Sequence, residues 1–296
     1  MQEFALIKPY TLDEVSQFLS EHHGHVCILA GGTDLLVQLH EKSHRWDQLE
    51  VVIDLKPLKE ELSQIEEGSD YLRIGSLCTH TQIERSTLVR EHIPFLSEAC
   101  SLIGSPQIRN MGTIGGSICN ASPASDPLPP LLAAEAQIVI HGPEQERDLR
   151  LADFINAKGQ PDLQRGEFVS AFIVRKLKAH ERSIFLKLGR RKALAISRLS
   201  VAAIIEQDAS GKICQAFIVP GCVGKQIKRY TQAEQFLMGK VPSADIIKQA
   251  ASTLSEQMID ENGRRWSSAY KEPVLSSLLE RALATICVGV EGKNGQ

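Results

Sequence analysis

Closely spaced cysteine pairs are missing from this sequence of 296 residues. Its seven cysteines include no C-x-x-C pattern, although thiolate zinc and iron–sulfur sites usually draw their ligands from such pairs. The cysteines are scattered, odd in number and mostly set in apolar runs, which is typical of buried, reduced thiols. We therefore expect this chain to hold no metal of its own.

Long apolar runs and a strong charge of either sign are missing as well. No segment approaches the ~20 apolar residues of a membrane span, and the first residues, MQEFALIKPYTLDEV, lack the pattern of a secretory signal. The formal net charge is -3 and the isoelectric point is about 6.3, which gives no general attraction to nucleic acid. We expect a cytoplasmic protein with no nucleic-acid partner and no membrane span.

Familiar catalytic patterns are absent too. The sequence contains neither G-x-S-x-G nor H-E-x-x-H, which mark serine hydrolases and zinc proteases. Paired carboxylates such as Glu60 and Glu61 fall in polar turns, and the nine histidines show no ligand spacing. We assign no catalytic residue.

The sequence does contain clear helix and strand patterns. Thr11 and Glu14 form a T-x-x-E capping box that predicts a first helix. Strands VCILA and EVVIDL follow, with helix LLVQLH between them, and ELSQIEEGSDYLRIGS is a hairpin signature. A helix is predicted over 92–103, and residues 105–130 are so rich in Gly, Pro and Ser that they predict a long functional loop.

Strands and then helices fill the rest of the chain, so the fold class is α+β. We predict a first domain over residues 1–178, made of subdomains 1–55 and 56–178, and a second domain over 179–296. Trp266 is interpreted as a packing anchor for the last helix or as part of a partner surface, and packing is favoured since a lone aromatic usually belongs to a core.

The first glycine loop follows strand VCILA. Gly31 and Gly32 let the backbone approach a ligand closely, and Thr33 adds a hydroxyl. Such a loop suits a phosphate or pyrophosphate. The alternative is an ordinary strand-to-helix turn in which Asp34 serves only as the helix N-cap.

The second glycine loop repeats this chemistry. Thr113, Gly115 and Gly116 stand in TIGG, and Ser122 and Asp126 follow as acceptors for sugar hydroxyls. Neither loop matches the P-loop or the dinucleotide-binding G-x-G-x-x-G pattern. The sequence therefore predicts a nucleotide site of another kind.

A cationic segment spans the end of strand SIFLKL and the residues after it. Lys187, Arg190 and Arg191 lie there, and a cation in a binding site would stabilise negative charge on a ligand. The alternative is an exposed strand end, where charged side chains are usually solvated.

Taken together, AGGTDLL at 30–36, TIGG with ASPASD at 113–126, and FLKLGRRKALAIS at 185–197 resemble the FAD-binding medium subunits of the molybdenum hydroxylases, and within that family the xanthine dehydrogenase type. The resemblance implies a two-subdomain flavin-binding unit of the vanillyl-alcohol oxidase (PCMH) type and a smaller C-terminal α/β domain. Ile103 stands where the eukaryotic enzyme has an aromatic residue, and Ser117 stands where Asn is common.

The resemblance also implies specific FAD contacts. Residues 29–35 are expected to wrap the pyrophosphate, TIGG to form a second flavin loop, and Lys187 to lie beside the ring. The full set of implied FAD-binding residues is Leu29, Ala30, Gly31, Gly32, Thr33, Asp34, Leu35, Ile103, Thr113, Ile114, Gly115, Gly116, Ser122, Asp126, Val169 and Lys187.

The implied function is electron transfer within a hetero-oligomer. Partner subunits would hold the molybdenum cofactor and the 2Fe-2S clusters, and FAD in this chain would pass their electrons to NAD. Two alternatives stay open: a self-contained flavin oxidase or dehydrogenase of related fold, and a flavin-free assembly scaffold.

Overall fold

The computed structural model describes residues 3–22, 24–156, 159–191, 194–224 and 226–287. The strands are β1 Ala5–Ile7, β2 Val26–Leu29, β3 Val51–Asp54, β4 Ile65–Glu67, β5 Tyr71–Gly75, β6 Gln137–His141, β7 Glu146–Arg150, β8 Phe168–Arg175, β9 Glu181–Leu188, β10 Leu199–Gln207 and β11 Ile213–Gly221. The helices are α1 Leu12–Glu21, α2 Leu35–His40, α3 Lys59–Leu62, α4 His80–Arg85, α5 Thr87–His92, α6 Pro94–Ser101, α7 Pro106–Met111, α8 Ile114–Cys119, α9 Leu128–Ala133, α10 Leu151–Phe154, α11 Thr231–Leu237, α12 Ala244–Asn262 and α13 Ser268–Cys287. Together they form an α+β fold, as predicted.

The first sheet is parallel, in the order β1-β3-β2. The predicted capping box opens α1. The Thr11 hydroxyl accepts the backbone N–H of Glu14, and the Glu14 carboxylate accepts the backbone N–H of Thr11. Helix α1 covers one face of the sheet, where Ile53 is fully buried. Leu29 and Asp54 end their strands side by side, so the first glycine loop leaves the sheet at its carboxyl edge.

The second sheet is antiparallel, in the order β4-β5-β8-β6-β7. The predicted hairpin is present as β4 and β5. Ile74 and Phe172 pair across β5 and β8 and are both fully buried. They share one core with residues of α4, α6, α8 and α9, so these helices and the loops between them are fixed against the sheet.

The third sheet has the order β11-β10-β9, and its central strand, β10, is buried on both faces. Along β10, Ala202 and Ile204 join the core of the second sheet. Val201 and Ala203 alternate with them and face helices α11, α12 and α13. The C-terminal sheet therefore packs directly against the second subdomain. Among the helices that the structure describes, none combines the length and apolar character needed to cross a membrane.

The expected long loop at 105–130 is wrong in part, because the chain folds there into α7, α8 and the start of α9. Pro106 occupies the first turn of α7, where a missing N–H costs nothing. The hydroxyls of Ser105 and Thr113 cap α7 and α8 by accepting backbone N–H groups. The helix predicted over 92–103 is also shorter, since Pro94 starts a new helix after α5.

The expected packing role of Trp266 is wrong. Its side chain is 95% exposed. Helix α13 is anchored instead by its own apolar stripe, in which Leu275, Leu279 and Leu283 are fully buried.

An enclosed ion pair ties β8 to β9. Arg175 Nη1 lies 2.6 Å from Glu181 Oε2, and the Glu181 side chain is fully buried. The backbone N–H of Lys178 donates to the same oxygen at 2.9 Å. The guanidinium also lies 5.3 Å from the centroid of the Phe217 ring on β11. The pair therefore links the second sheet to the C-terminal sheet.

We expect Arg175→Met to lower the free energy of unfolding by roughly 3 kcal/mol, because it leaves the Glu181 carboxylate buried without its partner. Urea unfolding followed by circular dichroism measures this change. Arg150→Met is the matched control, since Arg150 pairs with Asp153 on an exposed surface. Equal, small losses in both variants would contradict this account of the pair.

Candidate functional site

The candidate site is a cavity of about 650 Å³ that brings the three sheets' loops together. The implied FAD-binding residues that line it are Ala30, Gly31, Gly32, Thr33, Asp34, Leu35, Ile103, Thr113, Gly115, Gly116, Ser122, Asp126, Val169 and Lys187. Leu29 and Ile114 lie outside its lining. Leu29 packs beside Cys27 and Val52, and Ile114 is fully buried in the core of the second sheet.

The first glycine loop offers a row of unused backbone amides, which we call the amide nest (residues 31–35). None of these N–H groups donates to the described part of the chain, and the Leu36 amide is the first to bond back, to Gly32 O at 3.1 Å. Gly32 has φ +72°, a conformation that side chains disfavour. Asp34 occupies the N-cap position but makes no side-chain capping bond. Successive free amides at a turn bind anions.

Residue 31 must be a glycine to make room for the backbone before the second loop, as well as to let a ligand approach the first loop. A Cβ at this position would lie 1.9 Å from Met111 O and 3.0 Å from Gly112 Cα. Met111 is the last residue of α7, and Gly112 joins it to the second glycine loop at the start of α8. The first loop therefore touches the backbone that leads into the second, and only glycine permits that approach.

The backbone amides of the second glycine loop already donate hydrogen bonds within the chain. Ile114 N donates to Cys78 O at 3.0 Å and Gly115 N donates to Ser76 O at 2.9 Å. Gly116 N donates to the hydroxyl of Thr113 at 3.1 Å. The two loops thus differ: the first offers free donors to the cavity, whereas the second is bonded to the segment before α4 and supports the first.

Serine hydroxyls continue the cavity wall after α8. Ser117 and Ser125 share a hydrogen bond of 3.1 Å, so Ser117 has a partner within the chain. Ser122 Oγ accepts from Ala124 N at 3.2 Å. Its hydroxyl hydrogen has no acceptor among the residues described, and it can donate to a sugar hydroxyl.

Lys187 and Asp126 form an enclosed ion pair at the wall. Lys187 Nζ lies 2.6 Å from Asp126 Oδ2, with side chains 9% and 6% exposed. The Ser197 hydroxyl donates to the other oxygen of Asp126. Burial raises the pKa of the Asp126 carboxyl above its usual range, and the contacts with Lys187 and Ser197 oppose that rise. The exposed-strand-end alternative is therefore wrong for Lys187 and holds for the arginines at 190 and 191.

His80 is a lining residue that the sequence did not reveal. It is 4% exposed, and Cys100 Sγ lies 3.8 Å from its Nδ1. Burial, together with the charge of Arg109, lowers the pKa of His80 to about 4, so the ring is neutral near pH 7. Its Nε2 has no hydrogen-bond partner among the described residues and can serve a ligand. A single histidine at the start of a short helix carries no spacing signal that would have identified it.

A second cavity, of about 500 Å³, adjoins the first. Ser122 and Ala124 line both. Trp266 and Tyr270 line the second cavity, and the Arg198 guanidinium lies 5.3 Å from the centroid of the Tyr270 ring. The exposed tryptophan thus belongs to the wall of this second cavity.

Metal and nucleophile chemistry finds no support in the described ranges. No group of three or more His, Cys, Asp or Glu side chains gathers there in a way that could hold a metal ion. Cys100 beside His80 is fully buried, and burial raises the pKa of its thiol. A protonated, enclosed thiol is a poor nucleophile. The arrangement suits binding of a large anionic ligand rather than acid–base catalysis by side chains.

Comparison with known proteins agrees with this geometry. Two family models match the chain, "FAD binding domain in molybdopterin dehydrogenase" over residues 2–175 and "CO dehydrogenase flavoprotein C-terminal domain" over residues 184–286. The nicotinate dehydrogenase FAD-subunit of Eubacterium barkeri is 33% identical, with 99% of each chain covered. The xanthine dehydrogenase FAD-binding subunit of Escherichia coli O157:H7 is 29% identical, with 90% of each chain covered.

A solved structure gives the same answer for the fold. Carbon monoxide dehydrogenase from Hydrogenophaga pseudoflava contains a chain that superposes with a TM-score of 0.89 at 26% identity, covering 97% of this chain and 98% of that one. The resemblance drawn from the glycine loops is therefore confirmed at the level of the family. This chain belongs to the FAD-binding medium subunits of the molybdenum hydroxylase family.

Proposed function

We propose that this chain holds FAD in the larger cavity and passes electrons from the iron–sulfur clusters of a partner subunit to NAD. The observation that carries the proposal is the combination of the amide nest, free hydroxyls, an apolar wall and a lysine in one cavity. These groups correspond to the pyrophosphate, sugar and ring portions of FAD. Few other cofactors present all of these portions in one molecule.

The amide nest is suited to the FAD pyrophosphate. Its N–H groups donate to no described residue, so they are available to phosphate oxygens without a protein bond being broken. Gly31 and Gly32 have no side chain to hold the phosphates at a distance. Backbone donors of this kind hold phosphates in several nucleotide-binding loops.

Other lining residues provide an apolar surface for the flavin ring. Ile103, Val169, Leu194 and Ile196 contribute apolar side chains to the cavity, and Ile196 is 81% exposed in the chain alone. A bound flavin ring would cover that exposed surface. Lys187 lies in the same wall, where the charge of its ammonium and of its partner Asp126 would act on the ring, and bound FAD would supply the acceptance of two electrons and their delivery as hydride.

The partners follow from what this chain lacks. The described residues offer no metal-binding cluster, and relatives carry names such as "Carbon monoxide dehydrogenase medium chain" and "6-hydroxypseudooxynicotine dehydrogenase complex subunit alpha". We assign the molybdenum cofactor and the 2Fe-2S clusters to two other subunits of the same complex. This chain would then receive electrons rather than oxidise the organic substrate.

The second cavity supports NAD as the acceptor. Trp266 and Tyr270 contribute aromatic rings to its lining, against which adenine would pack, and Arg198 would supply a positive charge for phosphate. Because Ser122 and Ala124 line both cavities, a nucleotide bound there would lie beside the flavin. This is the arrangement that hydride transfer between the two requires.

We expect Gly31→Ala to weaken FAD binding at least tenfold, because its Cβ would displace the Met111 carbonyl and separate the two loops. Fluorescence titration of the flavin-free chain with FAD measures the affinity. Gly211→Ala is the control: its φ is +79° but nothing lies within 4 Å of the added Cβ. That variant should lose about 1 kcal/mol of stability and retain FAD. Unchanged FAD affinity in folded Gly31→Ala would remove the first loop from the site.

We expect the isolated chain with FAD to show a flavin spectrum, to accept hydride from NADH slowly, and to leave xanthine and similar heterocycles unoxidised. Substrate-dependent NAD reduction should begin only when the iron–sulfur and molybdenum subunits are added, since the electrons must arrive through their cofactors. The measurement is NADH formation at 340 nm, with the partner subunits alone as control.

Two outcomes would favour the alternatives. Oxidation of an organic substrate by the metal-free chain would indicate a self-contained flavin enzyme. A folded chain that binds no FAD, even with both glycine loops intact, would indicate an assembly scaffold.

A further inference from the structure

The ion pair between Lys187 and Asp126 is enclosed in the cavity wall. Its atoms Nζ and Oδ2 are 2.6 Å apart, and both side chains are at least nine-tenths buried. Charges so enclosed are screened less by water and salt than surface charges are. The two charges therefore largely neutralise each other, and removing either one would leave the other to act strongly on a ligand beside it.

The ammonium of Lys187 is held from two independent segments. It donates to Asp126, which follows α8, and to Leu102 O at 2.9 Å, just after α6. An ammonium has three hydrogens, so one is left for a ligand in the cavity. The adjacent carbonyl, Ile103 O, accepts from Arg109 at 3.0 Å, and Arg109 pairs with Glu84. The charges on this side of the wall are therefore balanced.

Asp126 is held in turn by the C-terminal domain. Its second oxygen accepts the hydroxyl of Ser197, two residues before β10. The carbonyl of Ser197 accepts from Cys222 Sγ at 3.2 Å, just after β11. These contacts orient the carboxylate so that one oxygen faces Ser197 and the other faces Lys187. Each oxygen of Asp126 thus accepts a hydrogen bond from the protein, which gives the carboxylate a use besides any contact with a sugar.

We propose that Asp126 is a positioning residue that, by pairing with Lys187, keeps the reduction potential of bound FAD below the value that an unpaired lysine would give. The inference rests on the proposed function, since it requires FAD in this cavity. Reduction adds negative charge to the flavin ring. An unpaired ammonium would stabilise that charge, whereas a paired one is largely neutralised by its carboxylate.

The test is a series of four full-length proteins with FAD bound: wild type, Asp126→Asn, Lys187→Met and the double variant. The net charge of the pair is zero in the wild type and the double variant, positive in Asp126→Asn and negative in Lys187→Met. The midpoint potential of FAD is measured by photoreduction against reference dyes at pH 7.5. FAD content and near-ultraviolet circular dichroism verify that each protein is folded.

We expect the potential to follow the charge. Asp126→Asn should favour reduced over oxidised FAD by roughly tenfold, which is about 30 mV for a two-electron couple. Lys187→Met should shift the potential in the opposite direction, and the double variant should return close to the wild type. A purely structural role of Asp126 would not produce opposite shifts that cancel.

Several outcomes would overturn the inference. An unchanged potential in Asp126→Asn would do so, as would a double variant that keeps the full shift of Asp126→Asn. If Asp126→Asn fails to fold, the midpoint potentials of Lys187→Arg and Lys187→Met decide the matter. The charge-conserving Lys187→Arg should have a potential near that of the wild type, and Lys187→Met a lower one. Equal potentials in the two variants would refute the electrostatic role. A wild-type chain that binds no FAD would instead refute the proposed function.

Discussion

The close approach of two backbones at Gly31 is the constraint on which the rest of the site depends. The Met111 carbonyl occupies the place where a side chain would begin. The second glycine loop is bonded at Cys78 and Ser76, next to β5, so it is a fixed support. With that support in place, the first loop can leave its own amides unbonded. One loop is thereby stabilised by the sheet, and the other keeps its donors for an anion.

The C-terminal domain completes the cavity by supplying charge. Lys187 lies on β9, and Ser197 lies just before β10, a strand whose two faces are buried in different cores. Moving that sheet would expose apolar surface on both sides, at about 25 cal/mol for each Å². The position of the Lys187 ammonium is therefore fixed by the packing of the domains. The ion pair of Arg175 with Glu181 also holds the domains together at their junction.

Local signals could be predicted from the sequence, and tertiary ones could not. The capping box of α1 and the hairpin of β4 and β5 depend on neighbours in the chain, so their patterns are visible. The short helices within 105–130 were missed because Gly, Pro and Ser usually indicate loops, and here they form caps and first turns. The glycine loops were recognised as a pair, but their different hydrogen bonding depends on Ser76 and Cys78. His80 and the exposure of Trp266 are likewise decided by distant segments.

Fixed charges matter here because few groups at the cavity change their charge near neutral pH. Burial keeps His80 neutral, with a pKa of about 4, and raises the pKa of the Cys119 thiol to about 12. A wall of this kind is unsuited to moving protons, which requires pKa values near the working pH. It is suited to a cofactor that carries its own chemistry and asks the protein for orientation and a constant electrostatic environment. Within the described residues, the cavity wall thus combines few groups that titrate near neutral pH with an enclosed ion pair, an arrangement suited to a cofactor that carries its own chemistry.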